Sequence, residues 1–178
     1  MKTKKMLLLL AAALVVAIPV LVLAGGEKTP SADEQMAGLV ESCQASADAR
    51  AARHEAKALY DRLGGYDKIL ALTTEIVRLH GENDAIKRTL VGVDPEMLAK
   101  HVADFMAAGT GGTAAYTGRS MPDAHRHLEL STADFLAAGG DVIQAMKNLG
   151  YGPDEIDEVV CILVSLKDTV LYEKIRES

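Results

Sequence analysis

The sequence predicts an all-α fold. Apolar residues recur at three- and four-residue spacing in successive segments, most of these segments open on a recognisable helix start, and no run alternates apolar and polar residues long enough to make a strand. The chain has 178 residues, 49% of them hydrophobic, with 25 acidic against 19 basic side chains, two Cys, two Phe and no Trp. That length suits one ordinary domain, and a composition so apolar excludes disorder along the whole chain.

The first element is a leader. Met1 to Lys5 is positively charged, Met6 to Ala24 is an uninterrupted apolar run, and Val22-Leu23-Ala24 before Gly25 reads as a small-residue cleavage signal. Residues 1–24 are therefore expected to be a signal peptide or an N-terminal anchor, the run being close to the roughly 20 residues that span a bilayer. Pro19 shortens any continuous helix there and favours cleavage. Lysines on the short side put the remainder across the inner membrane of a bacterial-type cell, exported to the periplasm or anchored facing it. Without Lys2, Lys4 and Lys5 the chain is more acidic still, so no basic excess is left for a nucleic-acid partner.

Residues 25–58 are rich in Ala, Glu, Asp, Arg and Ser with few large apolar side chains, which reads as a polar linker with a marginal helix, a possible membrane tether. Residues 59–178 are expected to form the folded domain. Ile69, Leu72, Ile76 and Val77 make one amphipathic helix beginning after Gly64-Gly65. Asp94-Pro95-Glu96 starts the next, with Leu98, Val102, Phe105 and Met106 as its apolar face. Gly109 to Gly118 is too rich in Gly to be helical. Ser131 to Asp134 is a capping box, opening a helix with Phe135, Val142, Ile143, Met146 and Leu149 inward and ended by Gly150. Gly152-Pro153-Asp154-Glu155 starts the last, most apolar helix, with Ile156, Val159, Val160, Leu163, Leu166 and Val170 on its buried side. Cys43 and Cys161 form no CxxC pattern. An oxidising compartment permits a disulfide between them, but the apolar surroundings of Cys161 favour a buried small hydrophobe.

Taken in order, these signals resemble the truncated haemoglobins of the first group. Leu59-Tyr60-Asp61-Arg62-Leu63-Gly64-Gly65 looks like that family's opening motif, and Gly111-Gly112 with Tyr116-Thr117-Gly118-Arg119 looks like its second Gly pair and the following loop. Met121-Pro122-Asp123-Ala124-His125 looks like the segment bearing the proximal histidine, and Leu149-Gly150-Tyr151 to Leu166 is similar to the last two helices. The resemblance runs from Leu59 to about Tyr172. It implies a two-over-two helical sandwich holding one non-covalent haem b, with iron bound by His125. A haem iron needs a neutral imidazole on a rigid frame beside an apolar slot, which suits His125 before Leu128 and Leu130. His127 is expected at the surface.

The distal side departs from the family. Ile76 and Val77 stand where Phe and Tyr are common, so no tyrosine hydroxyl serves the bound ligand, and Thr89 or Leu90 stands where a haem-stacking Phe is usual. His101 shares a helix side with Leu98 and Phe105, and the matching histidine of some relatives coordinates iron directly. His101 is accordingly expected as a sixth ligand in a bis-histidyl haem, against the rival reading of a solvent-facing imidazole at the rim. The pocket walls are expected from Leu90, Leu98, Val102 and Phe105 on one side and from Leu130, Phe135, Val159 and Leu163 on the other. His80, before Gly81, is expected to cap its helix end.

Such a haem binds diatomic gases. A donor-poor pocket disfavours O2 storage, while a bis-histidyl centre suits one-electron transfer with a redox partner, or NO chemistry gated by release of His101. The rival class is a globin-fold module without haem that serves partner binding or signalling. Hydrolase and nucleotide-binding readings find no motif.

Overall fold

Ser31 caps the first helix through a reciprocal capping box with Glu34, and the chain then runs through α1 (Ala32–Ala45), α2 (Ala47–Ala56) and the short α3 (Leu59–Arg62). Next come α4 (Tyr66–Glu82), a 3-10 turn (Lys87–Leu90), α5 (Pro95–Gly109) and α6 (Met121–His125), which continues into a second 3-10 turn (Arg126–Leu128). α7 (Thr132–Asn148), α8 (Pro153–Val170) and α9 (Tyr172–Glu177) complete the chain. The computed structural model describes residues 29–177, and the expected leader lies outside them. Among the described residues there is no strand, and no helix is long and apolar enough to cross a membrane.

The helix starts fall where the capping chemistry places them. Asp94 accepts from the amides of Glu96 and Met97 ahead of Pro95, and Ser131 and Asp134 make their capping box. Pro153 occupies the first turn of α8, where a missing amide costs nothing. Gly65 and Gly150 take positive φ at the two helix boundaries where the sequence puts them.

The architecture is a two-over-two sandwich in which α4 packs on α5, α7 on α8, and α4 joins the pairs through α7. Leu59, Leu63, Ile69 and Leu72, each at most 1% exposed, meet Val142, Met146 and Val159 in one core. α5 enters this core differently from the sequence expectation. Its buried face is Ala99, Ala103 and Ala107, while Leu98, Val102, Phe105 and Met106 are only half-buried. The small side chains let α5 approach α4 closely enough for the Thr73 hydroxyl to donate to the Ala99 carbonyl at 2.8 Å.

Three other expectations change. Leu149 is 46% exposed rather than inward. Cys161 is buried but paired, in a disulfide with Cys43 whose Cα atoms lie 5.4 Å apart. Residues 25–58, read as a polar linker with a marginal helix, hold two helices in their described part, with α1 seated on α7 and α8 through Met36 and Cys43. The α2 arginines explain why a helix with no buried residue stays in place. Arg50 and Arg53 reach Asp157, and Arg53 also reaches Asp154 and Glu158, all on α8.

Candidate functional site

α6 is a one-turn helix whose geometry is set by Ser120, which caps the Asp123 amide, and by Pro122 in its first turn. It packs on α8 and ends at His125, which is half-buried. His125 Nδ1 lies 2.8 Å from the Met121 carbonyl oxygen. A carbonyl only accepts, so Nδ1 carries a proton, which in the neutral tautomer leaves the lone pair on Nε2. This is the arrangement of a metal-ligating imidazole whose other nitrogen is held by the backbone. After the second 3-10 turn Glu129 adopts positive φ, 49°, and turns the chain so that Leu130 accepts a hydrogen bond from the Tyr172 amide at 3.0 Å. The last helix thereby anchors the stretch that follows the histidine.

The apolar side chains expected around haem share one property. Leu90, Leu98, Val102, Phe105, Leu130, Phe135 and Leu163 are all half-buried, in a chain whose core leucines and isoleucines are shut off from water. Taking such a side chain from full exposure to full burial is favourable by about 1.5–3 kcal/mol, and the part of each that stays open forgoes a fraction of that, so a set left part-open beside a sealed core has the chemistry of a surface that suits an apolar ligand. Val159, expected on the wall, is instead 2% exposed within the core of α4, α7 and α8. Ile76 and Val77 are likewise buried, and the Thr73 hydroxyl is spent on the Ala99 and Leu70 carbonyls, so α4 turns no spare donor inward at these positions.

An aromatic group that the sequence reading passed over lies here. Tyr116 stands edge-on to Phe105 with ring centroids 5.2 Å apart, although ten residues of Gly-rich chain separate them. Gly118 makes room for it, since a Cβ there would fall 2.2 Å from the tyrosine oxygen. The Tyr-x-Gly spacing was visible, but nothing in it says which ring the tyrosine meets.

His101 is exposed on α5 and, among the described residues, makes no hydrogen bond or ion pair. At about 100° per residue it lies one step beyond the stripe of Val102, Leu98 and Phe105, at its solvent edge. His127 is exposed, as expected. His80 does more than cap α4. Its Nδ1 lies 2.8 Å from Asp141 on α7, whose carboxylate also accepts from Asn83. The 3-10 turn bearing Leu90 is pinned by Arg88, which donates two hydrogen bonds of 2.9 Å to Asp134. That guanidinium, helped by Ser131, holds the Asp134 carboxyl down at about 2.

A separate concavity of about 520 Å³ lies between α2 and α8, lined by Arg50, His54, Glu158, Cys161 and Ile162 among others. None of its lining residues is one expected to hold haem.

Residues 58–172 match the family model for bacterial-like globins. A group 1 truncated hemoglobin of Synechocystis sp. is 30% identical over 108 residues, covering 58% of this chain and 87% of its own length. The 2/2 hemoglobin of Synechococcus sp., solved in the cyanomet state with covalently attached heme, superposes with a TM-score of 0.61 at 30% identity, over 64% of this chain and 98% of that one. The truncated hemoglobin of Tetrahymena pyriformis shares the fold at 23% identity, with a TM-score of 0.62 over 65% of this chain and 98% of its own. With the family model spanning the sandwich from α3 to the start of α9, the chain belongs to the bacterial-like globins, as a truncated haemoglobin of the first group.

Proposed function

We propose that this globin binds one haem b through Nε2 of His125 and that His101 is its second axial imidazole. The observation that carries the first half is the 2.8 Å hydrogen bond from His125 Nδ1 to Met121, which fixes the tautomer and leaves Nε2 as the free donor atom. The residues present fit the group, because the half-buried side chains of α5, α7 and α8 form an apolar face that the chain does not close by itself. Haem b, when bound, supplies an iron that takes diatomic gases and exchanges single electrons.

What this chain adds is exclusion of water by Leu98, Val102, Phe105, Leu130, Phe135 and Leu163, together with Ile76, Val77, Leu98 and Val102, whose side chains offer bound O2 no hydrogen bond. Oxygen storage is a poor match to such walls. His101 supports the bis-histidyl reading by its place at the stripe's edge and by a ring that, among the described residues, makes no hydrogen bond. With it bound, the chain suits one-electron transfer to a redox partner, or gas binding gated by its departure. The Cys43–Cys161 disulfide suits an exported chain in an oxidising compartment, periplasmic or tethered to the inner membrane.

The test is the absorption spectrum of the haem-reconstituted chain, ferric and dithionite-reduced, beside His101→Ala and His125→Ala. Low-spin ferrous bands that turn high-spin in His101→Ala, with loss of stable haem in His125→Ala, are expected. High-spin bands in both the parent and His101→Ala would leave an open ligand-binding site and remove His101 from the iron. No Soret band at all would make the chain a haem-free globin module for partner binding or signalling.

A further inference from the structure

The Cys43–Cys161 disulfide is not sealed in the main core. It borders a groove of about 300 Å³ between α1, α2 and α8, and Cys161 also lines the larger concavity beside it. Arg50 and Lys167 line the same groove, Arg50 near Asp157 and Lys167 paired with Asp168, so a thiolate, the species that attacks disulfides, meets cations that are already paired with carboxylates. The cluster around the bond is small, with Cys43, Cys161 and Val164 buried and Leu39, Val40 and Val160 half-buried against them. Beyond it α2 buries no residue and is held through the ion pairs of Arg50 and Arg53 with α8, most of them partly exposed, with Arg53 also reaching the buried Glu158.

We propose that this disulfide is a thiol-exchange site for a dithiol reductant and a latch that holds α1 and α2 onto α8. In the exchange a thiolate of the reductant attacks one sulfur, the Cys43–Cys161 bond breaks, and a mixed disulfide forms. The reductant's second thiol resolves it. Two electrons and two protons pass to Cys43 and Cys161, and the dithiol leaves as its own disulfide. Asp157 Oδ1, 3.8 Å from Cys161 Sγ, is placed to accept from the released thiol.

The latch matters for function because of what α8 supports. α8 carries Leu163 on the apolar face and packs against α6, which ends in His125. Releasing α1 and α2 strips one side of α8 and loosens the hold on haem. This last step rests on the haem reading above, whereas the exchange site and the latch do not.

The full chain, with and without haem, is treated with millimolar dithiothreitol in native buffer and in guanidinium. Reduction is followed by alkylation and mass, and backbone hydrogen exchange is followed across residues 32–56 and across α4. Reduction within minutes without denaturant is expected, together with a rise of at least about tenfold in exchange over residues 32–56 while α4 is unchanged. Cys43→Ser with Cys161→Ser should show the same exchange without reductant. A disulfide that yields only in guanidinium would overturn the exchange site, and reduction with unaltered exchange in residues 32–56 would overturn the latch. Both are decided on the haem-free chain. Transfer of haem to apomyoglobin should be several-fold faster from the reduced chain, and an unchanged rate beside loosened α1 and α2 would remove the link to haem.

Discussion

The ring of Tyr60 lies against Gly112 so closely that a Cβ at Gly112 would fall 3.0 Å from two ring carbons and 2.7 Å from the Ala107 carbonyl oxygen. The same tyrosine accepts a hydrogen bond on its hydroxyl from the Tyr66 amide, and its own amide donates to the Thr110 carbonyl. One side chain thus ties the Gly64-Gly65 turn to the Gly111-Gly112 turn. Gly112→Ala should cost about 1–3 kcal/mol, because backbone oxygen cannot step aside as a side-chain tip can. Urea unfolding of the two proteins measures it, and a loss within a few tenths of a kcal/mol would mean that the turn relaxes freely.

Arg88 and Asp134 make the acid-sensitive joint of the site. Asp134 is held at about 2 by Arg88, below its unperturbed value of 3.8, so the pair stabilises the fold above the higher figure and loses that contribution as pH falls toward the lower. Because Arg88 sits on the turn that carries Leu90, the wall near Leu90 should loosen in the same window. Asp134→Asn should be less stable than the parent at neutral pH and should flatten the stability profile between about pH 4 and 2. Thermal melts across that range decide it, and parallel profiles would show that the pair contributes nothing.

α4, α5, α7 and α8 were legible because their ends are written locally. Asp94-Pro95, the Ser131–Asp134 box and Gly152-Pro153 each need only neighbouring residues to act. The expectation at His125 rests on its motif, and its bond to Met121 is likewise local. What stayed hidden depends on distant partners. Arg50 and Arg53 look like the charges of a solvated linker until α8 brings Asp154, Asp157 and Glu158 to them. Cys161 sits in an apolar run that says burial, and nothing near it names Cys43, 118 residues away. In α5 the bulkier Leu98, Val102 and Phe105 mark the apolar face that the pattern finds, whereas Ala99, Ala103 and Ala107 hold the closest packing because they are small.

Glu158 is the buried charge on which the N-terminal helices converge. Its side chain is 8% exposed and accepts from Arg62, with Arg53 at 3.8 Å and His54 at 3.7 Å. Arg62→Ala would leave that carboxylate short of its main partner and should cost about 3–5 kcal/mol. Arg62→Met combined with Glu158→Met should recover much of the loss, since the expense lies in stranding one charge rather than in losing the pair. Denaturant unfolding of Arg62→Met, Glu158→Met and the double variant tests this, and strict additivity would show that the two groups act independently.

Gly118 and Tyr116 offer a way to move one pocket ring without cutting the core. A Cβ at Gly118 would overlap the far end of the Tyr116 ring at 2.2 to 2.7 Å, and a ring tip can swing aside. Gly118→Ala should therefore change stability by less than about 1 kcal/mol while driving Tyr116 away from Phe105. If that edge-on contact helps shape the apolar face, Gly118→Ala and Tyr116→Ala should each weaken haem retention to a similar degree. The double variant should then be no worse than either, because the second change removes what the first has already displaced. Haem transfer rates from the four proteins give the comparison, and additive losses would show that Gly118 acts on the site through the chain of its loop rather than through Tyr116.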